Sequence, residues 1–228
     1  MFDWLSHALA ADTRLSVGAL IPAGYAAYAR IMHPPYHVTS TGETVSVRWG
    51  DIAATHGRTI DDEVRLVGIN GQPSGRAYWR DEGDQEAENV GDHAMWHTRA
   101  SLGHLPEEIC AAILPALRAA TTSTQLFAFV WEGFGGTDYL CRPVVRTFDL
   151  GFARRCFVYA CTFDEVFQLV DHPYIITPTL WYPADRAWCL STDIDHTWSY
   201  IGGSEQLIDQ LRNNNALELV TVSREAAL

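Results

Sequence analysis

The spacing of apolar positions changes several times along the chain. Phe2, Leu5 and Leu9 recur at helical intervals and predict a short helix within residues 1–13. Beyond Pro22, the residues Tyr25, Tyr28, Ala29 and Met32 follow i, i+3, i+4, i+7 spacing, which predicts a second amphipathic helix that Pro34-Pro35 stops. Val45, Val47 and Trp49 alternate like a half-buried strand, and Trp49, Ile52, Ala53 and His56 predict a short helix ending at Gly57. From residue 61 to 104 the apolar pattern gives way to scattered glycines and an acidic run from Asp81 to Asp92. That composition predicts a solvated, mobile loop.

Regular patterning resumes at Pro106-Glu107-Glu108, a helix first turn with acidic groups at the positive end of the dipole. Ile109, Ile113, Ala116, Leu117 and Ala120 continue its apolar face, with Pro115 predicting a kink. Residues 126–133 and 143–150 are β-rich and predict neighbouring antiparallel strands; residues 156–161 predict another. Thr162 and Glu165 form a capping-box pattern for a helix through about Val170. The last third predicts a strand pair at 186–194 and 197–202, a helix capped by Ser204, and a final strand at 217–223. Strands and helices out of strict βαβ order predict a single α+β domain over 1–228, a mixed, mostly antiparallel sheet flanked by helices.

Composition narrows the chemistry. The chain has 228 residues and a formal net charge of −12, and all sixteen of its Lys+Arg residues are arginine. Without lysine there is no Schiff-base, P-loop or kinase-strand lysine. The acidic balance argues against nucleic acid as a partner, since neutralising phosphates needs clustered cations. No apolar run is long enough to span a bilayer, so no membrane partner is expected, and the first residues lack a basic leader. The five cysteines, at 110, 141, 156, 161 and 189, show no CxxC pair; reduced, buried thiols in a cytoplasmic protein are the expectation. His93 and His97 stand four apart, a spacing zinc can use, but without the HExxH glutamate. No GxSxG elbow or dinucleotide fingerprint is present, and no cofactor is expected.

The densest candidate site is residues 180–204. Trp181, Trp188 and Tyr200 lie beside Asp185, Arg186, Asp193 and Asp195 there. Aromatic and arginine side chains are usual anchors of protein interfaces, and also usual filling for a sheet. Asp193 and Asp195 are two apart. They read either as paired carboxylates for acid–base work or cation binding, or as turn residues between strands.

The run LWYPADRAWCLSTDID followed by YIGGS resembles a family of uncharacterised actinobacterial proteins, as do IPAGYAAYARIMHP near the start and FVWEGFG in the middle. Tyr182 stands where the family more usually has tryptophan, and His196-Thr197-Trp198 departs from its small polar residues. The family implies no established activity. The early IPxxY segment, the central WEG turn and the strand–strand–helix–strand tail are also similar to the SUKH superfamily, which implies an α+β fold and an immunity or scaffold role. Together these readings lead us to expect a non-enzymatic protein-binding module that turns Trp181, Asp185, Arg186, Trp188, Asp193, Asp195 and Tyr200 outward. The alternative is an enzyme or small-molecule binder with Asp193, Asp195 and His196 lining a pocket and Arg186 gripping an anionic group.

Overall fold

A computed structural model describes residues 2–9, 16–55, 57, 59–60, 100–134, 142–151, 154–169 and 176–226. Eight strands form its main sheet. In chain order these are β1 (Ala27–Met32), β4 (Leu126–Trp131), β5 (Arg146–Asp149), β6 (Arg155–Cys161), β7 (Leu180–Pro183), β8 (Cys189–Ser191), β9 (Trp198–Gly203) and β10 (Leu219–Thr221). Their order across the sheet is β10-β1-β9-β8-β7-β4-β6-β5, and β2 (Tyr36–Val38) with β3 (Thr44–Ser46) forms a separate two-stranded hairpin. Every described pairing is antiparallel. The fold is α+β, as the order of elements implied.

Both faces of the sheet are covered. One packs α4 (Glu107–Ala119) and α5 (Glu205–Arg212) through Ile109, Ile113, Leu117, Leu207, Ile208 and Leu211. Ala29, Ile31, Ala128, Leu190 and Ile201 meet those helices from the strands. The opposite face presents Met32, Phe129, Val158, Leu180, Tyr182, Cys189 and Tyr200. It is capped by α1 (Asp3–Ala8), α2 (Val17–Leu20) and α3 (Trp49–Thr55) through Phe2, Leu5, Val17, Leu20, Trp49 and Ile52. Successive strand residues point to opposite faces, so a strand buried on both sides reads as an unbroken apolar run.

That double burial explains the largest departure from the sequence reading. The segment predicted as a helix through Tyr25, Tyr28, Ala29 and Met32 is strand β1, with Ala29 and Ile31 on one face and Met32 on the other. Apolar residues on both faces of β1, with Arg30 buried between Ala29 and Ile31, satisfied the helical template by coincidence. The predicted neighbours β4 and β5 are not paired. β6 lies between them, matching Leu126 to Cys161 on one side and Arg146 to Val158 on the other. The tight turn in which Leu150 N–H donates to Arg154 O at 3.0 Å makes β5–β6 the local hairpin. At Thr162 the Glu165 carboxylate does accept from the Thr162 N–H, at 2.9 Å. The chain then continues as a run of turns: Glu165 and Gln168 donate to carbonyls three residues back, so the box closes no α-helix. Ser204 caps α5 as expected, accepting from Leu207 N–H at 3.2 Å. The segment 61–99, with His93 and His97, lies outside the described residues.

Candidate ligand-binding site

The ring-rich stretch does not form an outward surface. Trp181 and Trp188 lie on the α4/α5 face with ring centroids 5.0 Å apart, and Trp188 Nε1–H donates to Leu117 O at 2.9 Å. Tyr200 is buried on the opposite face. Alternation along antiparallel strands separates these rings, and the two-sided sheet has no wet face to offer them. The expectation that Trp181, Trp188 and Tyr200 turn outward is therefore corrected: they are core.

Asp185 and Arg186 are exposed, on the β7–β8 turn, and both have structural partners. Asp185 accepts hydrogen bonds from the Thr121 and Thr122 hydroxyls, from Thr122 N–H and from Ala187 N–H. Slight burial pushes its carboxyl up, but these donors, Thr121 first, outweigh that and hold it below its ordinary value. Arg186, at φ 57° in the left-handed region, lays its guanidinium 4.4 Å from the centroid of the Trp4 ring. Trp4 in turn meets Tyr182 edge-on at 5.1 Å, so this stack clamps α1 to the sheet. Arg186 does not join Asp193 and Asp195.

A different arginine does. Arg154, just before β6, contacts Asp193 through Nε and Nη2, each at 3.3 Å, and Asp195 through Nη2 at 2.5 Å. Asp193 Oδ1 also accepts from Asp195 N–H at 3.0 Å, which folds the β8–β9 turn around the ion pair. Side-chain exposure is 15% for Arg154 and 8% for Asp193, so this is a largely buried cluster. Burial alone would lower the Arg154 pKa, but the hydrogen bonds and charges of the two aspartates raise it above its ordinary value. Asp193 and Asp195 do sit on a turn, though Asp193 faces inward. Arg154 shares its parity with the buried Cys156 and Val158 of β6. That alternation was the signal that this arginine points inward.

Next along the turn is His196, buried, stacked on Trp198 at 4.7 Å between centroids and edge-on to Tyr200 at 6.3 Å. Burial lowers its pKa; Asp193 and Asp195 oppose that, and Arg154 and Arg30 reinforce it. Its Nδ1 and the Trp198 Nε1 are buried without a hydrogen-bond partner. On the other side, Gly103 (φ +73°) holds the turn. Its N–H donates to His196 O at 3.0 Å, and a Cβ there would lie 2.7 Å from Ile194 O.

Arg154 and Asp193 form the polar end of a cleft on the α1/α2 face. Leu9, Ala19, Leu20, Leu150 and Leu180 make its apolar wall, and Ser191 lies on its floor. Its non-atom space of about 280 Å³ includes open solvent, and the enclosed part admits little more than one water-sized group.

On the α4/α5 face a second polar group lies fully inside. His33 Nδ1–H donates to Ser101 O at 2.7 Å, Ser199 Oγ–H donates to His33 Nε2 at 2.9 Å, and Thr192 Oγ1 is 2.6 Å from Ser199 Oγ. An oriented imidazole beside a hydroxyl has the outline of a nucleophile–base pair. Both His33 and Ser199 have zero solvent exposure, however, so no substrate reaches the hydroxyl. The group fastens β1, β8 and β9 together at one end.

Cys110, Cys156, Cys161 and Cys189 are free and buried, as the sequence implied; Cys141 lies outside the described residues. Burial pushes the Cys110 and Cys161 thiols up to about 12 and raises those of Cys156 and Cys189 as well, which leaves them poor nucleophiles. Among the described residues no helix is long and apolar enough to cross a membrane.

These features define an α+β protein with a doubly covered antiparallel sheet and a leucine-walled cleft ending on a buried ion cluster. No family model, curated protein or solved structure matches the chain.

Proposed function

We propose that this protein binds a small molecule in the cleft between α1/α2 and the sheet, at the Arg154–Asp193–Asp195 cluster. The observation that carries the reading is a buried three-charge cluster opening onto an apolar hollow. Burying charges costs several kcal/mol each, and well-packed apolar side chains would generally stabilise as much or more (on the order of 1–4 kcal/mol). Clustered charges beside a concave apolar wall are the usual composition of a ligand pocket. His196, Asp193 and Asp195 are the residues the alternative sequence reading placed in a pocket, with Arg154 in the position given there to Arg186. A fragment library screened by ligand-observed NMR tests this. Hits should bind the native chain and lose binding in Ala19→Leu, which fills the cleft without touching a charge. A library with no hit that Ala19→Leu displaces overturns the proposal.

A second reading keeps the protein-binding, SUKH-like role, immunity- or scaffold-type, without its aromatic surface. It is supported by the β2–β3 hairpin, which stands outside the main sheet and exposes Val38 and Val45, on a chain of net charge −12. Such charge would speed encounter with a basic partner. Cross-linking in the source cells should join that hairpin to a basic protein, and Val38→Asp with Val45→Asp should abolish the cross-link. Cross-links that avoid the hairpin remove this reading.

A further inference from the structure

Thr179 leads into β7 with its backbone fully engaged. Its N–H donates to Phe129 O at 2.8 Å, and its carbonyl accepts from Thr192 N–H at 2.9 Å and from Ser191 Oγ–H at 3.2 Å. The hydroxyl is different. Oγ1 is buried without a hydrogen-bond partner among the described residues, on a residue only 3% exposed. An unmatched buried hydroxyl costs stability, and an ordered water is the common remedy. Thr179 lines the same cleft as Arg154, Ser191 and Asp193, and the enclosed part of that cleft admits little more than one water-sized group.

We infer that the enclosed part of the cleft is a binding site for one ordered water molecule, held by Thr179 Oγ1, Ser191 Oγ and Asp193. The site stands whether or not a larger molecule enters the mouth of the cleft. Its lining asks for an occupant that both accepts and donates. A water accepts from the Thr179 hydroxyl and has two hydrogens left to give. Ser191 Oγ–H is committed to Thr179 O, so Ser191 presents its lone pairs. Asp193 Oδ2 accepts from Arg154 Nε at 3.3 Å, and a carboxylate oxygen has room for a second donor. A bare ion fits less well, since a cation would lie beside Arg154 and an anion beside Asp193. The rest of the wall, Leu9, Ala19, Leu20, Leu150 and Leu180, offers no competing hydrogen-bonding side chain. Such a water joins the residue before β7, the end of β8 and the β8–β9 turn, and through Asp193 it reaches Arg154 at the start of β6.

A high-resolution crystal structure of the full chain, paired with urea denaturation of Thr179→Val, tests the site. The native chain should show a water within about 3 Å of Thr179 Oγ1 and of either Asp193 Oδ2 or Ser191 Oγ. Valine keeps the shape of threonine and lacks the hydroxyl, so Thr179→Val should lower the urea midpoint by removing the contact to that water. An orphaned hydroxyl predicts the reverse, because deleting it relieves a penalty. A midpoint at or above that of the native chain therefore overturns the proposal. So does a Thr179 hydroxyl turned onto a protein carbonyl with no density beside it. Crystals grown in bromide address the ionic alternative: an anomalous peak at the site would make the occupant an anion held by Arg154 and overturn the assignment of water. Should Thr179→Val fail to fold, the native density and the bromide crystals carry the test.

Discussion

His33 Nε2 accepts the Ser199 hydroxyl hydrogen at 2.9 Å, and neither side chain has any solvent exposure. Nδ1–H is committed to a carbonyl, which can only accept, so in the neutral ring Nε2 is the acceptor for Ser199. Burial is the main cause of a pKa lowered from 6.5 to about 4. The unfolded chain takes up this proton near pH 6.5, while the folded chain resists until about pH 4. Stability is therefore fully present above pH 6.5 and falls as pH drops from there toward 4, by up to about 3 kcal/mol from this residue. His196, also lowered by burial, acts in the same direction. Urea midpoints at pH 7.5, 6.0 and 5.0 should fall steadily, and His33→Gln should flatten the decline. A midpoint that rises on acidification would contradict the neutral buried imidazole.

Trp188 shows whether the ring-rich tail is core or interface. Its indole is buried, packs edge-on against Trp181 and donates to Leu117 O. Trp188→Ala should destabilise the fold by about 3–5 kcal/mol, and Trp188→Phe by about 1–3 kcal/mol, since the latter keeps most of the packing but leaves a buried carbonyl unpaired. Urea denaturation at neutral pH checks both. Loss of less than about 1 kcal/mol in the alanine variant would mean the ring is not the core element described.

How much of this was legible beforehand depended on what each signal reported. Ser204 with Leu207, Ile208 and Leu211 specified α5 because cap and stripe are local features, and the C-terminal strands were equally plain. β1 was misread because a strand buried on both faces loses its period, as Ala29, Ile31 and Met32 show. The candidate site was half legible. Asp193, Asp195 and His196 come from one turn, but Arg154 arrives from 39 residues away along the chain, and no local pattern reports that pairing. The aromatic density around Trp181 and Trp188 was real, and it marked the thickest part of the core.

Glu218 caps a helix from a distance. Its carboxylate accepts from Trp49 N–H at 2.6 Å and Gly50 N–H at 2.8 Å, so the residue before β10 satisfies the open first turn of α3. Arg48 Nε lies 3.7 Å from the same carboxylate. Glu218→Ala should cost about 1–2 kcal/mol, and Glu218→Gln less, because an amide oxygen still accepts one of the two N–H groups. Hydrogen exchange should show the loss concentrated in the first turn of α3. Uniform loss across the sheet would argue that the residue acts by another route.

The Arg154 cluster gives the sharpest asymmetry between partners. Replacing Arg154 by methionine leaves Asp193, with a side chain only 8% exposed, without its cation, and should destabilise the fold by about 3–5 kcal/mol. Asp195 is 26% exposed and can turn to water, so Asp195→Asn should cost under about 1 kcal/mol. Replacing both members of the buried pair together, as Arg154→Met with Asp193→Leu, removes the stranded charge and should recover most of the loss. Thermal unfolding of the three variants measures this directly. A double variant as unstable as Arg154→Met alone would mean that the cluster organises the β8–β9 turn itself, beyond neutralising a buried charge. A recovered double variant that no longer binds small molecules would separate the stability of the cluster from its use.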